Sequence, residues 1–483
     1  MMFIPLTTDI LVWLLAAAIA GYFLYVRRQP HLLLPWRRVT QSAYGMSALV
    51  VLCVFVAIGL LDSLHYRPAL EHKDGQQGGT AYSTEVLSLF DAIATPLRAH
   101  RERTYSAPFA TRAFARETIE IAGPDGTIRQ AREFPRLVWG GVHLANEADR
   151  GQDILVRTMQ GLGLALLLWG ALAAAVTVMH ARFGGDAAKN AWRAIWRAET
   201  RIPWRSILLT VGVLLALAGP AVMLCSHYHV LGTDKVGRDV LYLALKSIRT
   251  GLVIGTLTTL VLLPFAVALG IMAGYFRGWI DDVIQYIYTT INSIPGVLLI
   301  AAAVLLVQVQ LDRHAELFPT AAQRADLRLL CLCAILGLTG WTGLARLLRG
   351  EALKLRELEF VQAAQAFGVR SARIITRHIL PNVMHIVLIS LVMDFSALVL
   401  AEAVLSYVGV GVDPSTISFG TMINAARLEM SREPVVWWSL AAALVFMFVL
   451  VLAANLFSDA VRDAFDPRVR IGAPGGPAVP QKA

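Results

Sequence analysis

An all-α integral membrane protein is what this sequence predicts, and three observations predict it. About nine long apolar runs are present, charge is scarce, and the basic residues fall in short segments between the runs. The 483 residues are 56% hydrophobic and 16% charged, where a soluble domain carries about a quarter charged residues. Mean hydropathy is +0.59. Runs of roughly 18 or more mostly apolar residues are long enough to cross a bilayer as helices. They lie near 9–26, 43–61, 157–179, 206–225, 250–275, 284–308, 328–345, 383–406 and 437–457.

The first run is a span rather than a cleaved leader. No basic region precedes it, and Arg27 and Arg28 follow it, which is the reverse of a signal peptide. The net charge of +9 points to orientation and not to nucleic acid, because the cations sit where short loops set topology. Arg27, Arg28, Arg37 and Arg38 follow the first run. Arg182, Lys189, Arg193, Arg197, Arg201 and Arg205 follow the third, Arg346 to Arg377 the seventh, and Arg462, Arg468 and Arg470 the last. With all four segments cytoplasmic, nine spans alternate from an outside N-terminus to a cytoplasmic C-terminus. The cysteines, Cys53, Cys225, Cys331 and Cys333, sit in apolar surroundings without a metal-like partner set, so they read as small buried hydrophobes.

The chain divides into 1–204, with three spans, 205–466, with six, and a Pro-, Gly- and Ala-rich tail, 467–483, expected to be disordered. A polar segment at about 62–156 reads as a small α+β extracytoplasmic domain. It opens with a Gly-rich stretch at 74–79. A helix over 84–99 would place Val86, Leu89, Phe90, Ile93 and Leu97 on one face. A hairpin would turn at Gly123-Pro124-Asp125-Gly126.

Enzyme motifs do not appear. None of the six lysines follows a glycine, so no phosphate-cradling G-x-x-x-x-G-K-[ST] loop is present. Neither H-E-x-x-H nor G-x-S-x-G occurs.

The segment 359–382 reads as a short helix, a glycine stop at Gly368, a second helix capped by Ser371, and a span whose first turn holds Pro381. Such a helical turn either lies on lipid headgroups or presents a docking surface, where small Ala363 and Ala364 admit close approach. Leu231 to Val240 reads as a turn in which Gly232 and Gly237 bend the chain and Asp234, Arg238 and Asp239 pair with one another or with a partner. Charges inside spans are functional candidates. Asp394 and Glu402, eight residues apart, lie within roughly 80° on a helix. Their shared face lines a pathway or a subunit interface, or each is satisfied by a neighbouring helix.

The 359–382 segment resembles the EAA loop of ABC importer permeases, E-A-A-x3-G followed by I-x-L-P. Here Gln362-Ala363-Ala364 stands for E-A-A, Gly368 is in register, and Leu380-Pro381 completes the second half, preceded by His378 where the pattern has Ile. Gln362 removes a carboxylate, for which Glu359 can partly compensate. Leu231-Gly232-Thr233-Asp234-Lys235-Val236-Gly237-Arg238-Asp239 resembles the L-G-T-D-x-x-G-R-D signature of the C-type subunit of dipeptide and oligopeptide permeases. Segments beginning at Ala401, Phe419 and Asn455 resemble three further motifs of the same family, in the same order, over about 205–470.

The resemblance implies a type I importer core of six helices at 205–466, preceded by three extra spans and the small domain. It implies residence in a bacterial inner membrane. It also implies a second permease subunit, two ATPase subunits that bind ATP and magnesium, and an external solute-binding protein, with no cofactor on this chain. The loop at 357–379 is then the element that docks on the ATPase. An ion-gradient transporter and a membrane sensor are the alternatives. The first would need inverted repeats and charged, broken helices, and the second a signalling domain.

Overall fold

Apolar runs of this length have no way to satisfy their backbone in lipid except as helices, and each becomes helical. A computed structural model of the chain describes residues 2–465 apart from 70–81, 84, 123–127, 186, 315 and 317–319. The N-terminal part contains β1 (Met2–Phe3), α1 (Thr7–Arg27), α2 (Pro30–Val39) and α3 (Ala43–Asp62). The segment expected as a small domain follows, with β2 (His65–Arg67), β3 (Leu87–Ser88), α4 (Leu89–Ile93), α5 (Thr95–Ala99), β4 (Glu117–Ala122) and β5 (Ile128–Glu133). Next come α6 (Arg150–Gly184), α7 (Ala188–Trp196), α8 (Trp204–Cys225) and α9 (Val240–Phe276). They are followed by α10 (Trp279–Ser293), α11 (Gly296–Arg313), α12 (Ala321–Gly340), α13 (Thr342–Arg356) and α14 (Glu359–Ala366). The chain continues through α15 (Ser371–Ile374), α16 (Leu380–Val408), α17 (Phe419–Glu429) and α18 (Trp438–Phe465).

Among the described residues, nine helices are long and apolar enough to cross a membrane. They follow the nine runs, with one break. The run at 284–308 is interrupted because Pro295 excludes helical geometry from the residue before it. Ile294 is extended (φ −93°, ψ 132°), and α10 ends where α11 begins. The helix expected over 84–99 is also divided. Ser88 and Asp91 form a reciprocal cap (3.1 and 2.9 Å) that starts α4, and Pro96 starts α5. The hairpin pairs Glu117 with Glu133 through Ala122 with Ile128. Its turn, the Gly-rich stretch and the tail lie outside the described residues.

The core is arranged around α9, which packs against α3, α12, α13, α16 and α18. Gly270 and Gly274 let α13 approach its backbone: an added Cβ would lie 2.7 Å from the Ala345 carbonyl oxygen and 2.6 Å from that of Arg349. The extension is wrapped into this core, with α1 against α12 and α3 against α18 and α9. Helices α6 and α8 form an antiparallel hairpin, and β1–β2–β3 join the N-terminus to the small domain.

Candidate functional site

Helix α9 has 37 residues, about 55 Å at 1.5 Å per residue, and the two signature segments lie at its opposite ends. At its C-terminal end, α13, α14 and the start of α16 form one apolar seat. Val361, Ile374 and Ile379 are fully buried there with Leu348, Ala352 and Tyr275. Arg356 donates to the Tyr275 carbonyl (2.9 Å), Gln365 to the Tyr275 hydroxyl (3.3 Å), and Arg277 pairs with Glu357 (2.5 Å). Above the seat, Glu359, Gln362, Ala363 and Gly368 are exposed, and Ala364 is partly buried against the seat. Gln362 donates to the Glu357 carbonyl at 3.2 Å. Phe360 and Phe367 also face outward, the latter 87% exposed.

Helix α14 ends as the sequence requires. Gly368 has φ +71°, its N–H donates to Gln365 (3.0 Å), and the Val369 N–H donates to Ala364 (3.0 Å). These are the two bonds of a left-handed glycine stop. Ser371 does not cap the next helix as expected; it is the first residue of α15, whose cap is Arg370 with no side-chain bond. Pro381 lies in the first turn of α16, as expected, but no break separates that helix from α15. Residues 371–408 run continuously through a five-residue π turn, Ile375–Ile379. The wide turn accommodates the missing proline N–H, and the Asn382 amide donates to the His378 carbonyl within it (2.6 Å). The His378 ring lies 5.8 Å from that of Phe360, tying α14 to the turn.

At the other end of α9, the Gly232–Asp239 segment is internally satisfied and roofed by the small domain. Asp234 accepts from the N–H groups of Val236 and Arg238 and from the Arg238 guanidinium (2.8–3.0 Å). Asp239 caps α9, accepting from Leu241 (2.8 Å), and binds His229 Nδ1 (2.8 Å). Gly232 and Gly237 both have φ +73°. A Cβ at Gly237 would strike the Glu102 carbonyl. The domain seats itself by main-chain bonds, Glu102 N–H to Gly237 O (2.9 Å), Thr233 N–H to Ser106 O (3.0 Å) and Phe109 N–H to His229 O (2.9 Å). The Trp438 indole closes the loop on the Thr233 carbonyl (2.9 Å).

Glu102 and His229 are the pivotal residues here, and motif spacing did not find them. The Glu102 carboxylate accepts from the N–H groups of Val138, Trp139 and Gly140 (2.8–3.1 Å) and faces His229 Nε2 (3.4 Å). Burial opposes its charge, but the His229 bond and the three backbone donors prevail and lower its pKa to about 2. Burial likewise opposes the imidazolium, yet the bonds to Asp239 and Glu102 raise the His229 pKa to about 9.

A second charge network, about two to three helical turns further along α9, binds the N-terminal extension. Lys246 meets both oxygens of Asp91 (2.6 Å) and lies 3.6 Å from Asp62. Arg249 pairs with Asp9 (2.6 Å), which also meets His65 (2.7 Å). Thr7 and the Thr8 N–H donate to Asp326 of α12 (2.8 and 3.1 Å). The signal for it lay in the sequence. Lys246 and Arg249 sit at the end of the fifth span away from the basic loops, where unbalanced cations need partners.

The two intramembrane carboxylates, both on α16, differ in their surroundings. Asp394 is half-buried, and among the described residues it has no hydrogen bond or ion pair. Glu402, grouped with it in the sequence reading, is 1% exposed. One of its oxygens accepts from Ser406 (2.7 Å) and Ser418 (2.9 Å), which joins α16 to the cap of α17. Glu402 is therefore turned into this chain.

The family model described as "binding-protein-dependent transport system inner membrane component" matches residues 266–471. The oligopeptide transport system permease protein OppC of Mycobacterium bovis is 33% identical over 242 residues, 50% of this chain and 77% of that protein. The glutathione transport system permease protein GsiD of Pectobacterium atrosepticum is 32% identical over 247 residues, 51% of this chain and 74% of that protein. A chain of the MetNI methionine ABC transporter, in an inward-facing conformation, is 16% identical with a TM-score of 0.35, over 47% of this chain and 97% of that one. On the sequence relatives and the family model, this multi-pass membrane chain belongs to the binding-protein-dependent inner membrane components, as a permease subunit of an ABC importer of the peptide-permease family, in which ATP hydrolysis lies in separate subunits.

Proposed function

We propose that the chain carries di- or oligopeptides inward and that α14, with the Gly368 turn, is the surface on which the ATPase subunit acts. The single observation that carries this is the construction of α14. An exposed face of Glu359, Phe360, Gln362, Ala363 and Phe367 stands on a fully buried seat. That seat joins α14 to α13, α16 and the end of α9. A push on this face reaches three long helices without passing through a soft joint, so ATPase closure can rotate the bundle as a body. The lipid-surface reading suits the geometry less well, because Phe360 and Phe367 are accompanied by Glu359, Gln362 and Gln365 on a helix that projects from its seat.

The peptide cargo rests on the oligopeptide and dipeptide names of the relatives. The assembly comprises a second permease subunit, two ATPases and a solute-binding protein, with the N-terminus outside and the C-terminus cytoplasmic. Residues 205–466 are the transport core. The 62–156 domain is external, meets the binding protein or the second permease, and uses the Gly232–Asp239 segment as its seat. Asp394, in a span and without a partner among the described residues, faces the pathway or the second permease, since lipid contact would be costly.

Uptake of a labelled tripeptide by the reconstituted transporter tests the reading. Ala363→Arg, placed on the exposed face, is expected to abolish ATP-dependent uptake while the permease inserts and elutes as wild type. Full uptake by that variant, or no peptide uptake by the wild type, contradicts it.

A further inference from the structure

The basic segment between α6 and α8 takes no part in the coupling surface. Residues 182–205 carry six Lys or Arg against two Asp or Glu. Arg182, Lys189, Arg193, Arg197, Arg201 and Arg205 are all exposed, and among the described residues none forms an ion pair. Around α13, Arg349 pairs with Asp281 (2.6 Å), Arg356 binds a carbonyl and Lys354 meets Glu351 (3.0 Å), whereas Arg370, Arg373 and Arg377 beyond α14 are exposed and, among the described residues, also without an ion pair; what sets the 182–205 cations apart is the apolar groove beside them.

Helix α7 holds this charge at a fixed place. Ala191 and Ile195 are 1% and 0% exposed, and Ile195 packs with Ala173 of α6 and Leu208 of α8. Lys189, Arg193 and Arg197, four residues apart, form the opposite ridge. Because α6 has 35 residues, about 52 Å, it outruns a hydrocarbon core of about 30 Å. Helix α7 folds back along its last turns at the level where α8 begins. Trp169, Trp192, Trp196 and Trp204 gather there, and indoles favour the membrane interface. Trp192 stands 5.5 Å from Trp196, which is 6.3 Å from Trp169. Between α6 and α7 runs an apolar groove of about 400 Å³, lined by Trp169, Gly170, Ala173, Ala174, Ala188 and Trp192. Its two α7 residues are each followed by a cation of the basic ridge, Lys189 and Arg193.

We propose that this groove is a binding site for one anionic phospholipid, with an acyl chain along α6 between Trp169 and Trp192 and the phosphate on Lys189 and Arg193. Charge complementarity selects the occupant. A cluster of cations without ion pairs among the described residues attracts acidic headgroups at the interface, while the groove beside it is lined by apolar side chains and one hydroxyl, Thr177, which already donates to the Ala173 carbonyl (2.7 Å). The inference rests on the membrane-permease reading, and under the proposed orientation the lipid comes from the cytoplasmic leaflet.

The test is lipid retention by the purified full chain, delipidated in detergent and titrated with phosphatidylglycerol or phosphatidylcholine, read by native mass spectrometry. One phosphatidylglycerol per chain is expected in preference to phosphatidylcholine. The double variant Lys189→Gln, Arg193→Gln is expected to bind it about 30-fold more weakly, from the loss of two interfacial cations. Gly170→Phe keeps every charge and fills the groove, at a position where an added Cβ meets nothing; it is expected to lose the lipid as well. Equal binding of the two lipids by wild type, or undiminished phosphatidylglycerol binding by either variant, overturns the proposal. So does loss of ATPase co-purification from the double variant with lipid retention unchanged, which would make the patch a protein contact. The readout involves neither uptake nor the α14 face, so the coupling proposal and this one can fail separately.

Discussion

Two residues, Glu102 and His229, hold the small domain on the membrane core. Both are buried, and each is the other's counter-charge. Replacing Glu102 with Ala strands His229 with Asp239 alone and leaves three backbone N–H groups without an acceptor. Removing one partner of a buried pair costs about 3–5 kcal/mol, and the orphaned N–H of buried Gly140 adds about 1–3 kcal/mol. The domain is expected to detach, seen as rapid proteolysis within 62–156 while the spans stay folded. The pH dependence has a definite sign. His229 is raised from 6.5 to about 9, so its contribution is complete below 6.5 and is lost as pH rises through about 9. Glu102 is lowered from 4.5 to about 2, so its contribution is complete above 4.5 and is lost as pH falls through about 2. The gap in melting temperature between wild type and His229→Asn, measured in detergent, is therefore expected to be widest between pH 4.5 and 6.5 and to close by pH 10. The glycine at 237 acts at the same place. Its positive φ and the Glu102 carbonyl against it leave no room for a side chain, so Gly237→Ala should release the domain as Glu102→Ala does.

The segment from α13 to α16 is where the sequence was most legible among the elements, because its signals are local. A glycine stop is written into the residues around Gly368, and the two backbone bonds confirm its form. Gly368→Ala strains the backbone by about 1 kcal/mol but meets no neighbour; a small loss of melting temperature with α14 retained is expected. What could not be read was the continuity from Ser371 to Val408. Pro381 signals a helix start in any local reading, and only the π turn before it, set by packing of Ile374 and Ile379 into the seat, keeps the helix running. The break at Pro295 is the converse: the hydropathy of the 284–308 run hid a proline stop that local chemistry does explain. The division of 84–99 into two helices has the same origin in Ser88, Asp91 and Pro96.

For the molecule as a whole, the nine spans were legible and their assembly was not. Hydropathy finds helices but says nothing of which ones meet, and the network of Lys246, Arg249, Asp9, Asp62 and Asp91 spans 240 residues of sequence. It ties α1, α3 and the small domain to α9, crossing the boundary that the sequence placed at residue 204. A chain lacking residues 1–62 leaves Lys246 without Asp62 and Arg249 without Asp9. Such a chain is expected to be degraded or to aggregate rather than yield a minimal core, as measured by its monodispersity after extraction. Likewise Asp394 and Glu402, close on a helical wheel, are separated by the serines of α16 and α17 that turn Glu402 inward.

The central claim is that the exposed face of α14 receives the ATPase subunit. The most direct test is co-purification of the cognate ATPase with the permease from detergent, wild type against Ala363→Arg combined with Phe367→Asp, two exposed positions whose change leaves the buried seat intact. The ATPase is expected to accompany the wild type and to be lost from the variant, with both permeases extracted in equal amount and equally folded. An ATPase retained by the variant as firmly as by the wild type would contradict the claim.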